Sequence, residues 1–202
     1  MSTIKSKKVQ LGTDANAANN FTLYQPATPD GTLRIGVGNA DSPTEVGRFD
    51  SNGYVATNAP VFSAYANTDL TISDATYTKV PINTVRYDVT SDFDTTNYRF
   101  QPSVAGYYQV NGDIRYSGGT NILAAIVVFY KNGSQFEGPN IINGISTAGN
   151  LGINGSTIVY MNGTTDYVEL YGWTDVSGGT PRFDYANVIF TSHFSGFLIR
   201  AV

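Results

Sequence analysis

Residues 107–116 alternate strictly between two classes of side chain. Tyr108, Val110, Gly112, Ile114 and Tyr116 hold one parity, and Tyr107, Gln109, Asn111, Asp113 and Arg115 the other. Strand side chains project to opposite faces in turn, so this stretch predicts a strand with one face on a core and the other toward water or a partner. Ile122 to Tyr130 is apolar at both parities, and Val127, Val128 and Phe129 favour strand over helix. A strand buried on both faces needs a second layer or a subunit contact. Asn132-Gly133 ends it with the residue pair of a tight hairpin turn. Thr157 to Met161, Asn162-Gly163 and Tyr167 to Thr174 predict a second hairpin, and Ser192 to Val202 a closing strand. Asn154-Gly155 reads as a further hairpin turn, and Gly178 to Pro181 as a turn before Phe183 and Tyr185. Upstream, Phe62, Ala64 and Ala66 alternate with Ser63, Tyr65 and Asn67 as a first strand. Short strands punctuated by Asn-Gly turns, with no helical period of useful length, predict an all-β sandwich.

Residues 1–58 read as a separate module. Val9 to Gly12, Asn20 to Tyr24 and Leu33 to Val37 are short extended segments, divided by turn clusters at Pro26 to Gly31 and Asp50 to Gly53. The module has little apolar mass of its own and is expected to lean on a neighbour. Asn58-Ala59-Pro60 is the expected hinge into a head spanning 59–202.

Composition narrows the function. The 202 residues include 14% charged side chains, 21 glycines and 14 tyrosines, which suits tight turns and β structure. A net charge of −4 disfavours nucleic acid as a partner. There is no cysteine, so packing or subunit association must supply the stability. Met1 to Lys8 is polar and basic without an apolar run behind it, and Ile122 to Tyr130 is too short for a membrane helix. The chain is expected to be made as a soluble protein with no membrane partner. Lys5, Lys7 and Lys8 read as a solvated tail or as an arm for an acidic surface.

Candidate chemistry is sparse. His193 is the only histidine, which leaves a catalytic triad or a histidine-based zinc site without support; neither a cofactor nor an enzymatic activity is expected. Asp88, Asp92 and Asp94 are candidate calcium ligands, with a turn capped by aspartates as the competing reading. Asp166 and Glu169 fall on opposite strand faces and make a poor carboxylate pair for glycoside hydrolysis. Tyr171 and Trp173 share a strand face and Tyr185 follows, giving a candidate ligand surface that serves equally well as subunit packing.

The order Phe100 to Tyr108, Lys131-Asn132-Gly133, Asp166 to Leu170 and Phe194 to Ile199 resembles the head of the C1q and tumour-necrosis-factor superfamily over about residues 60–202. The resemblance implies a C1q/TNF-like jelly roll, a homotrimer, and an interface near Phe194, Phe197 and Tyr108. The animal members' collagen stalk has no counterpart here, since there is no Gly-X-Y repeat. Lys7 to Gly12, Asn19 to Pro26 and Pro29 to Leu33 resemble a module at the start of tailed-phage fibre and appendage proteins. That resemblance implies virion docking through Lys5, Lys7, Lys8, Val9, Leu11, Phe21 and Leu23, against the major capsid protein or another virion protein. The expected protein is therefore a trimeric structural appendage on the phage virion surface, made in the host cytoplasm. It would act as a capsid decoration, head fibre or fibre knob; the alternative is a tail-fibre adhesin for a bacterial surface glycan or protein.

Overall fold

A computed structural model describes residues 8–16, 19–51, 53–56 (backbone alone for 54–56), 59–143, 151–186, 189 and 191–202. The chain divides into two compact units, Met1–Ala59 and Pro60–Val202.

The first unit is an antiparallel meander. β1 (Lys8–Leu11), β2 (Phe21–Tyr24), β3 (Leu33–Val37), β4 (Thr44–Asp50) and β5 (Gly53–Ala56) pair in chain order. Asn20 ties the β1–β2 connection together. Its Oδ1 accepts from the Asp14 amide at 2.9 Å, and its Nδ2 donates to the Asp14 carbonyl at 2.8 Å.

The second unit is a sandwich built around one long strand. Its strands are β6 (Val61–Tyr65), β7 (Leu70–Thr71), β8 (Thr78–Lys79), β9 (Thr84–Asp88), β10 (Phe93–Asp94), β11 (Arg99–Phe100), β12 (Ala105–Lys131), β13 (Ser134–Asn143), β14 (Leu151–Asn162), β15 (Val168–Phe183) and β16 (His193–Ala201). The first half of β12 pairs with β16 on one side and β14 on the other, and β6 and β9 extend that sheet beyond β16. The second half of β12 pairs with β13 and β15. The far edge of β15 is covered in turn by β11, β8 and β7. β12 thus belongs to both layers. It crosses between them at Ser117–Asn121, where the register slips and Gly118 and Asn121 take positive φ angles of 79° and 50°. The stretch looks like a loop in sequence, yet a bulged strand accommodates it.

The alternating face expected over 107–116 is the core face: Tyr108, Val110, Ile114 and Tyr116 are fully buried. They meet Val127, Phe129, Val168 and Leu170 of the other layer, with Phe62, Phe100 and Phe194 completing the cluster. Gly112 is the close point, because a Cβ there would collide with Leu170 and crowd the Phe129 ring. The two buried phenols are satisfied: Tyr108 Oη donates to the Val104 carbonyl at 2.7 Å, and Tyr116 Oη to the Ile126 carbonyl at 2.9 Å.

Three local expectations need correction. Asn162-Gly163 is a turn, but β14 and β15 do not form a hairpin across it; each pairs with a different half of β12, so the turn passes between layers. Asn154-Gly155 lies inside β14 opposite Asp113 and Gly112, where Gly155 makes room for Pro139. Gly178 to Pro181 lies inside β15, and Phe183 beyond it is buried in the core. Asn132-Gly133 does turn β12 into β13, with φ angles of 53° and 77°.

Candidate functional site

The head offers two surfaces with chemical character. The first is the outer face of the β6–β16–β12–β14 sheet. Cross-strand pairing sets its side chains in rows. One row reads Ile158, Gln109, Phe197, Val61; the next Ser156, Asn111, Ser195, Ser63; the next Asn154, Asp113, His193, Tyr65. Above the first row, Tyr107 and Tyr160 face each other with ring centroids 5.5 Å apart. The face therefore has an apolar end and a polar end.

The polar end holds a shallow recess of about 300 Å³ lined by Asn111, Asp113, Asn154, Ser156, His193 and Ser195. Arg86 Nη2 donates to His193 Nε2 at 2.7 Å, which requires a neutral ring with its proton on Nδ1. Burial pushes the Asp113 carboxyl above its ordinary range.

This geometry redistributes the expected interface residues. Phe194 and Tyr108 are fully buried inside the sandwich and cannot line a contact between subunits. Phe197, of opposite parity to Phe194, stands on the outer face and is 43% exposed.

The second surface is the outer face of β15 and the second half of β12. Tyr171 and Trp173 lie there with two rings that sequence reasoning did not assign to a site. Tyr130 stacks on Tyr171 at 3.8 Å and 17° between planes. Tyr77 approaches Tyr130 at 6.5 Å and Trp173 at 6.3 Å. Beneath them Val128 is fully buried although it points away from the sandwich core. The rings are the second cover that the two-sided apolar pattern of Ile122 to Tyr130 demanded. Lys79 Nζ donates to Glu169 Oε1 and sits 5.9 Å from the Tyr171 ring centre. Glu169 is 3% exposed, and its Oε2 has no hydrogen-bond partner. Burial, then the nearby Glu169 charge, raises the Tyr171 phenol, so it is a neutral donor near pH 7. Tyr185 does not join this cluster. It lies past the end of β15, where its amide donates to Asp69 Oδ1 at 2.6 Å.

The acidic stretch behaves as a set of caps. Asp88 Oδ2 accepts from the Phe93 amide, Asp92 Oδ2 from the Thr90 hydroxyl, and Asp94 Oδ1 from the Thr96 and Asn97 amides. Among the described residues no three His, Cys, Asp or Glu side chains are placed to hold a metal ion. Asp88, Asp92 and Asp94 thus each shape a turn, the competing reading given for them, while Asp88 Oδ1 is buried without a hydrogen-bond partner.

In the first unit, Lys8 pairs with Asp41 at 3.5 Å. Val9, Leu11 and Phe21 are exposed, Leu23 is half-buried, and Lys5 and Lys7 lie outside the described residues.

No family model matches the chain, and no curated protein matches it. Among solved structures the chain is similar to the globular domain of zebrafish complement 1qA protein, at 17% identity and a TM-score of 0.50, over 72% of this chain and 100% of that one. It is also similar to murine APRIL, at 8% identity and a TM-score of 0.48, over 70% of this chain and 100% of that one. The fold expected from the ordered motifs is the fold observed: the head is a C1q-like jelly-roll sandwich.

Proposed function

We propose that the chain is a structural protein of a tailed-phage virion, a homotrimeric surface appendage docked by its first unit and displaying the jelly-roll head. One observation carries the homotrimer. Tyr107, Ile158, Tyr160 and Phe197 stand together at one end of an outer sheet face, each 42–58% exposed. Apolar side chains gathered on one sheet face and bordered by polar rows mark a contact with another molecule. A closed ring of identical copies covers such a face in every subunit at once. The virion placement is supported by the resemblance of residues 5–55 to appendage modules. Native mass measurement of the full chain tests the assembly, with three copies expected and a single copy overturning it. Immuno-electron microscopy of tailed particles carrying the gene tests the placement; label absent from the particle surface overturns it.

The second reading is a host-binding adhesin, favoured by the Tyr77–Tyr130–Tyr171–Trp173 cluster. Rings with hydroxyl and indole donors at their edges suit the apolar face and hydroxyls of a sugar. Binding of the full chain to host-envelope glycan, lost in Trp173→Ala, would favour it over decoration alone.

A further inference from the structure

The meander of the first unit gathers apolar side chains on one face, with Thr44 opposite Val37 as a polar exception. Val9 and Leu11 pair with Leu23 and Phe21, and these with Ile35 and Val37 of β3. Leu33 pairs with Phe49 of β4. Paired residues share a face, so these positions form one side of the sheet, and every one is apolar. The ion pairs sit elsewhere: Lys8 with Asp41 at 3.5 Å, Arg34 with Asp30 at 2.6 Å and with Glu45 at 2.9 Å, and Arg48 with Glu45 at 3.4 Å. Lys8, Arg34 and Arg48 have the opposite parity. Val9, Leu11, Phe21 and Leu33 are 43–53% exposed.

We infer that this face, whose Val9, Leu11, Phe21 and Leu23 were expected to dock on the virion, is instead covered by the same face of two further copies of this chain. The inference rests on the homotrimer reading of the head. Two features select identical copies as the occupant, the uncharged face and the tether to the head. Among the described residues the face carries no charge for a different surface to read, and an uncharged apolar face is complementary to itself. The exposed side chains offer roughly 400 Å² per copy, which shared among three pairwise contacts is about 400 Å² each, so the faces rely on the heads to hold the copies together. Each meander is also tied covalently to a head, so head association brings the three faces together at about millimolar effective concentration.

The absence of cysteine makes the test direct. Full-length Leu33→Cys, Leu11→Cys, Gln10→Cys and Phe197→Cys each carry a single thiol and are treated with a short bis-maleimide, then run on denaturing gels. Gln10 has the parity of the charged face. Leu33→Cys and Leu11→Cys are expected to give about tenfold more cross-linked dimer than Gln10→Cys, because their thiols share one assembly. Phe197→Cys reports the head contact separately. If it cross-links while the two leucine positions match Gln10→Cys, this inference fails and the head trimer stands. If no position cross-links and the mass is that of one chain, both fail. Leucine-position thiols that resist alkylation without cross-linking would place another surface on the face and overturn the inference.

Discussion

Phe194 and Phe197 sit on one strand and serve opposite sides of it. The Phe194 ring meets Phe62 edge-on at 5.1 Å inside the sandwich, while Phe197 pairs with Gln109 and Val61 on the outer face. The two substitutions should therefore separate cleanly. Phe194→Ala leaves a core cavity and costs about 3–5 kcal/mol of folding stability, read by chemical denaturation. Phe197→Asp should leave the fold intact by circular dichroism and reduce the native mass from three copies to one. Retention of the trimer in Phe197→Asp would show that the outer face is not the contact.

The stacked pair Tyr130 and Tyr171 shields Val128. Tyr171→Ala removes the stack and admits water to a fully buried side chain, so a loss of about 2 kcal/mol is expected from urea titration. Trp173→Ala, at the margin of the cluster, should cost less, about 1 kcal/mol. Equal costs would mean that the rings do not act as a cover.

Asp184 anchors the point where β12 changes layers. Arg115 Nε donates to its Oδ2 at 2.8 Å, Ser117 Oγ to its Oδ1 at 2.8 Å and Arg182 Nη2 to its Oδ1 at 3.2 Å. Burial pushes the carboxyl up, but these hydrogen bonds and the Arg115 charge outweigh it, and the net shift is downward. The folded chain thus holds Asp184 ionised more strongly than the unfolded chain does. Its contribution is complete above the ordinary carboxylate range and is lost as pH falls through the lowered folded value. Asp184→Asn is expected to cost about 3 kcal/mol near pH 7. The Tm gap to the parent should hold from about pH 8 to 5, begin to narrow near about pH 4 and close only below the lowered folded value. A gap independent of pH would refute the charge argument.

Gly172 packs beneath two rings. A Cβ there would collide with the Tyr116 hydroxyl and the Phe183 ring, whereas nothing lies within 4 Å of a Cβ on Gly152. Gly172→Ala should cost about 1–3 kcal/mol and Gly152→Ala almost nothing, by thermal denaturation. The hydroxyl of Tyr116, which donates to the Ile126 carbonyl, is the group most directly displaced.

Much of this architecture was legible from period and parity. The alternation over 107–116 predicted one buried and one outward face without saying which, and the two-sided apolar run at Ile122 to Tyr130 called for a second layer or a subunit contact. What parity does not give is partnership. Asn162-Gly163 has the chemistry of a hairpin turn, but only the three-dimensional pairing shows that its flanking strands enter different layers. Ser117-Gly118-Gly119-Thr120-Asn121 has loop composition, and the continuity of β12 comes from ladders on both sides of it. Phe194 and Phe197 were known to differ in parity, yet which one faced inward depended on Phe62 and Phe93, far away in sequence. Tyr77 reaches Trp173 only because β8 docks on β15, a contact that local residue types do not encode.

The placement of β16 governs when the head can form. It lies between β6 and the first half of β12, and it follows both in the chain. During synthesis the first sheet has a gap at its centre until β16 has left the ribosome, and bridging that gap requires contacts distant in sequence. The earlier strands can collapse but cannot lock. A message cut short before His193 would yield chains with an open seam, exposed to proteolysis.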